Sequence, residues 1–190
     1  FIGSFDTTKY GSIPMIYVGI VPLLLAILFF TLKSIKFHVK LSYFFLIIIF
    51  IASFSLERLD LFWQGMHAPN MFLHRYSSLF IIFLAAETLQ RLKQIKFKNL
   101  IISFTILSIG FILVFVFRKH YDFLGPVNFI LTLEFLLAYL LIFGTFTKSF
   151  ISKRVFFITT LAFVCFEVSL NAFYQVDGIA KEWVFASRSS

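Results

Sequence analysis

The chain has 190 residues, 60% of them hydrophobic and 14% charged, with 30 phenylalanines and a net charge of +8. Soluble domains carry about 25% charged residues, so this composition excludes an ordinary soluble fold and points to a helical membrane protein. The single cysteine, Cys165, lies inside an apolar run and says nothing about disulfides.

Six spans follow in chain order, at about 15–32, 41–56, 71–89, 99–117, 127–146 and 155–173. The second is short for a bilayer and must borrow flanking residues. The third reaches full length only if it starts near Met71, which puts His74 and Arg75 in its first turns. The fifth opens at Gly125-Pro126, a turn followed by a helix start. The fold class is therefore all-α, a polytopic transmembrane helical bundle. Residues 1–14 read as the end of an outer loop, 15–173 as the helical module, and 174–190 as the start of an outward C-terminal domain. A first residue that is not Met and a last stretch without a helix stop mark the chain as an internal piece of a longer protein. No sequence repeat and no low-complexity linker is evident.

Charge sets the orientation. The loops "KSIKFHVK", "RLKQIKFK" and "TKSFISKR" hold ten of the 17 basic residues in short runs. The positive-inside rule makes these loops cytoplasmic, and both ends then face outward. The same charge does not read as a nucleic-acid surface, because the lysines are tied to helix ends.

Polar residues collect in "WQGMHAPNMFLHRY", Trp63 to Tyr76. Asn70 is a candidate N-cap for the third span, after Pro69. Exposed N–H groups at a helix N-terminus favour an anion, and Arg75 lies about 7 Å farther along the axis. Two readings stand together: a phosphate site at the outer leaflet, or Arg75 snorkelling beside the interfacial anchors Trp63, His74 and Tyr76. His67, Asn70 and His74 share a spacing of three and four, but no Cys or carboxylate completes a ligand set, and metal is assigned to none. Glu57 and Asp60, at i and i+3, read as an exposed loop pair partly neutralised by Arg58, with general-base work as the alternative.

Three acids lie inside spans. Glu87 precedes Arg91 by four residues, the spacing of a helical ion pair. Glu134 and Glu167 need a partner or a proton in hydrocarbon, and Arg75 is an available one. Asn171 shares a helix face with Glu167.

"PMIYVGIVPLLLAILFF", "GMHAPNMFLHRYSSLFIIFLAAE", a span with Glu167-x-x-x-Asn171 and a closing "ASRSS" together resemble the YfhO-like bacterial membrane proteins. The matching positions are Pro14, Tyr17, Gly19, Gly65, Pro69, Asn70, Phe72, Arg75, Tyr76, Glu167, Asn171 and Ser187 to Ser189. The resemblance implies a bacterial cell-membrane protein with a partial GT-C-like module. Its implied activity is glycosyl transfer from an undecaprenyl-phosphate type donor to a cell-envelope polymer, teichoic acid. The donor is a substrate, and no cofactor is implied. Partners would be membrane lipid, the lipid-linked sugar and the envelope acceptor, with no nucleic acid. Arg75, Asn70, His74, His67, Gln64 and Tyr76 would bind donor phosphate or sugar, with Glu134, Glu167 and Asn171 as intramembrane polar groups. The catalytic carboxylate of that fold usually lies in a first outer loop not contained here, so the catalytic residue is unknown. The competing reading is a transporter or flippase of a lipid-linked or small substrate.

Overall fold

A computed structural model describes residues 1–3, 17–55, 76–117 and 125–188. Among these residues the secondary structure is entirely helical. The helices are α1 (Ile20–Thr31), α2 (Phe37–Ser55), α3 (Tyr76–Gln90), α4 (Phe97–Val116), α5 (Pro126–Thr147) and α6 (Lys153–Arg188). A short 3-10 turn, Leu92–Gln94, links α3 to α4. Three helical segments, Phe97–Val116, Pro126–Thr147 and Lys153–Ala180, are long and apolar enough to cross a membrane.

The centre of the bundle is α1. It packs against α3, α4 and α5, while α5 packs in turn on α4 and α6. Ile20, Leu24, Leu25, Leu28 and Phe29 are buried, so this helix is covered by protein around most of its circumference. Its 12 residues span about 18 Å, well short of the roughly 30 Å hydrocarbon thickness. The first span, expected from residue 15, therefore starts its helix later, at Ile20. The cause is Gly19, whose φ of 88° is incompatible with helix and reserves the position for a residue without Cβ. Pro22, in the first turn, costs little because N–H groups there have no intrahelical partner.

Contacts across the bundle fix its direction. Thr88 Oγ1 donates to the Leu25 and Leu84 carbonyls, each at 2.9 Å. Asn99 Nδ2 donates to the Thr31 carbonyl at 3.3 Å. Lys148 Nζ lies 4.5 Å from the centre of the Phe97 ring. The turns α1–α2, α3–α4 and α5–α6 thus lie at one end, and that end carries the three basic runs.

Two of these turns disclose a repeat that the sequence analysis missed. "LKSIKF" at 32–37 and "LKQIKF" at 92–97 differ at one position. In each the Leu and Ile are buried and the two Lys are exposed. Apolar pegs alternate with cations, which seats the turn on the core while its charges remain outside. The third turn is built differently. α5 ends with Phe150 N–H on the Thr145 carbonyl at 2.9 Å and Ser149 N–H on the Phe146 carbonyl at 2.9 Å, around Ser149 at φ 61°.

Differences at the other helix ends have local causes. α5 opens with Pro126 in its first turn, as its Gly-Pro pair predicts. The last helix was expected to stop at 173 but continues to Arg188. Residues 174–188 contain no proline and a single glycine, so a change to polar composition does not end the backbone pattern. Glu87 and Arg91 form the expected pair at 2.5 Å, with both side chains about one-third exposed.

Candidate functional site

Buried polar side chains gather at the end of the bundle opposite the basic turns. Glu167 and Asn171, one helical turn apart on α6, are 1% and 5% exposed. An unpartnered carboxylate there would be very costly. Glu167 is not unpartnered. Its Oε1 accepts the backbone N–H of Ile20 at 2.9 Å and the hydroxyl of Tyr17. Its Oε2 accepts the Tyr139 hydroxyl from α5 at 2.5 Å. One carboxylate therefore joins α5, α6 and the start of α1 across 147 residues of chain.

The position of the acid explains its tolerance. Ile20 is the first residue of α1, so its N–H is one of the orphan donors of that terminus. A carboxylate also complements the positive end of the helix dipole. A Cβ at Gly19 would stand 3.7 Å from Glu167 Oε1, an ordinary contact, so the φ of 88° and not a lack of space favours glycine there. Among the described residues the partners of Glu167 are two phenols and a backbone N–H; Arg75, the partner expected for it from the sequence, lies outside them.

Asn171 serves a second strand of the same arrangement. Its Oδ1 accepts the Gly3 N–H at 3.0 Å. On α5, Thr132 Oγ1 accepts the Ile2 N–H at 3.0 Å and donates to the Asn128 carbonyl at 2.7 Å. Asn128 Nδ2 donates to the Ile2 carbonyl at 3.1 Å. Residues 2 and 3 are thereby held between α5 and α6. Gly3 has φ 71°, and a Cβ on it would meet the Tyr174 ring at 2.8 Å. The pair Glu167 and Asn171 thus grips the chain at Gly3 and again at Tyr17 and Ile20. What this arrangement does is mechanical. Both carboxylate oxygens of Glu167 accept from donors on other segments, so the group orients the start of α1 and the phenols around it.

The other sequence-predicted site residues fare differently. Arg75, Asn70, His74, His67 and Gln64 lie outside the described residues, as do Glu57 and Asp60. Tyr76 is the first described residue of α3, at the same end of the bundle as Glu167. Glu134 is not brought into the cluster; it sits on the exposed face of α5. Among the described residues no three His, Cys, Asp or Glu side chains gather in a metal-like group. Cys165 is exposed on α6.

Sequence reasoning missed Tyr139, Asn128 and Thr132, and it assigned no role to Tyr17. One signal was available. Asn128 and Thr132 are polar residues at helical spacing near a span end, the same pattern that singled out Glu167 and Asn171.

A protein-family model described as "Bacterial membrane protein YfhO" matches residues 1–190. No curated protein matches the chain, and no solved structure does.

Proposed function

The chain belongs to the YfhO family of bacterial membrane proteins, and from that premise we propose that it forms part of a membrane glycosyltransferase. The enzyme moves a sugar from a polyprenyl-phosphate donor to a cell-envelope polymer of the teichoic acid type, on the outer face. The observation that carries the reading is the segregation of the bundle. Buried polar groups around Glu167 lie at one end, and the ten clustered cations lie at the other. The block Gly65 to Tyr76 leads into α3 at the polar end.

In this reading Arg75 and Asn70 hold the donor phosphate, and Gln64, His67, His74 and Tyr76 contribute hydrogen bonds to phosphate or sugar. An acceptor hydroxyl oxygen bonds to the anomeric carbon as the bond to the phosphate oxygen breaks. Polyprenyl phosphate leaves as the anion, and the hydroxyl proton passes to a general base. Glu167, which already accepts three hydrogen bonds from the protein, is not assigned as that base, and neither is any other of these residues.

The test is donor affinity in the full-length protein. A charge-assisted contact in a partly dry site contributes roughly 1.5–3 kcal/mol, so Arg75→Ala should weaken donor binding about 10- to 100-fold. Arg75→Lys should recover part of the loss, and Asn70→Ala should cost about 1 kcal/mol. Equal affinities for the unaltered protein and Arg75→Ala would end the phosphate-site reading.

The repeated turn favours a second reading, a transporter or flippase of a lipid-linked substrate. The six residues recur at the same place in two successive helix pairs, α1–α2 and α3–α4, and internal repeats are a common transporter feature. Proteoliposomes separate the two. A transferase releases polyprenyl phosphate and lengthens an acceptor, whereas a transporter moves the intact donor across the bilayer.

A further inference from the structure

Glu134 follows Pro126, the first residue of α5, by eight residues, about 12 Å along the axis. That is well inside an apolar helix. Its neighbours on the same face are Val127, Ile130, Leu137 and Leu141, at alternating spacings of three and four, which form one stripe. Ile130, Leu137 and Leu141 are 54%, 53% and 70% exposed. The opposite face of α5 is the packed one, with Phe135, Leu136, Tyr139 and Phe143 buried. Glu134 itself is exposed, and among the described residues it has neither an ion pair nor a hydrogen bond.

Three occupants could cover this stripe, and the carboxylate discriminates among them. Lipid offers neither a hydrogen-bond donor nor a cation at that depth, so a carboxylate facing it is penalised. A second copy docking by the same face around a two-fold axis would set Glu134 beside its own counterpart, and like charges repel at low dielectric. A helix carrying a basic side chain satisfies both the apolar stripe and the acid in its middle.

We propose that the Val127–Leu141 face of α5 seats a membrane helix that brings a lysine or arginine to the depth of Glu134. This interface does not depend on the transferase reading. The flanking leucines and isoleucine supply shape, and the ion pair fixes depth and partner choice. Such a buried pair contributes more to specificity than to net stability, but removing one member strands the other.

The experiment uses the full-length protein in its own membranes and in mild detergent. Glu134→Leu should lower the unfolding temperature by several degrees, because it leaves the partner cation buried without an acceptor. Glu134→Gln should lower it less, since the amide oxygen still accepts a hydrogen bond. The apolar carbodiimide DCCD labels carboxyl groups that stand protonated in lipid, and Glu134 of the unaltered protein should be protected from it. A Glu134→Leu variant that is equally or more stable would overturn the proposal. So would rapid DCCD labelling of Glu134, which would mean a lipid-facing acid. Disulfide-linked dimers from Leu137→Cys would overturn it in favour of a second copy. If Glu134→Leu does not accumulate, DCCD on the unaltered protein decides.

Discussion

Glu167 and Lys40 bracket one short helix. Glu167 accepts the N–H of Ile20 at the amino end of α1 at 2.9 Å, and Lys40 Nζ donates to the Phe30 carbonyl near its carboxyl end at 2.7 Å. An anion meets the positive end of the dipole and a cation meets the negative end. Asn99 adds a donor to the Thr31 carbonyl. A buried helix has few waters to satisfy its terminal groups, so side chains from α2, α4 and α6 do it.

The first prediction concerns that carboxylate. Glu167→Ala leaves the Ile20 N–H and the Tyr17 and Tyr139 hydroxyls without their acceptor in a dry site. The loss should be about 3 kcal/mol or more, given roughly 1–3 kcal/mol for each unsatisfied buried group. Glu167→Gln should cost less, because one oxygen remains to accept. Tyr17→Phe and Tyr139→Phe should each cost about 1 kcal/mol in the unaltered background. Both effects should shrink in the Glu167→Ala background, because the partner is already gone. Unfolding midpoints of the purified variants in detergent supply the cycle; additive effects would mean that the phenols do not act through Glu167.

Two glycines should rank in a definite order. Gly19→Ala suffers mainly from its φ of 88°, since the added Cβ meets only ordinary contacts at 3.4 Å and beyond; the cost should be about 1 kcal/mol. Gly3→Ala suffers a φ of 71° and a 2.8 Å approach to the Tyr174 ring, so it should cost more. Tyr174→Ala should relieve part of the Gly3→Ala defect. The same detergent unfolding assay decides, and a reversed order would contradict the packing of residues 2 and 3 between α5 and α6.

Ser149→Gly carries the opposite sign. Ser149 adopts φ 61° at the end of α5, a conformation that costs a residue with Cβ about 1 kcal/mol. Glycine should therefore raise the unfolding midpoint by up to that amount. A decrease would indicate that the serine side chain contributes something other than its backbone angle.

Orientation has its own test. Cysteines placed at Lys36, Lys96 and Ser152 should resist an impermeant thiol reagent in intact cells, while one at Gln64 should react. The structure puts the first three positions at one end of the bundle, so they should behave alike whichever side that end faces. Labelling of all three would invert the proposed orientation.

Much of the fold was legible in the chain. α4 and α5 fall within two residues of their expected bounds, because long apolar runs bounded by Lys96 or by Gly125-Pro126 leave few alternatives. Burial was not legible. The helices α1 and α4 are both apolar almost throughout, yet α1 is enclosed by protein while many side chains of α4 are exposed. In a membrane both lipid and protein interior accept Leu and Ile, so hydrophobicity alone does not say which face packs. The candidate site divides the same way. Glu167 and Asn171 were visible as polar residues sharing a face, whereas Tyr139 was hidden in an apolar span because its ring belongs there and only its hydroxyl does not.

Composition and charge spacing by themselves determined a helical membrane protein, the number of its apolar segments and the shared end of its basic loops. These follow from transfer free energies that each residue carries wherever it sits. Tertiary structure alone decided that Glu167 closes the amino end of α1 while Glu134, equally acidic and also in a span, faces outward from α5. The difference lies in which donors other helices bring within about 3 Å of each carboxylate. No local pattern encodes that, because the Ile20 N–H and Glu167 are 147 residues apart in the chain.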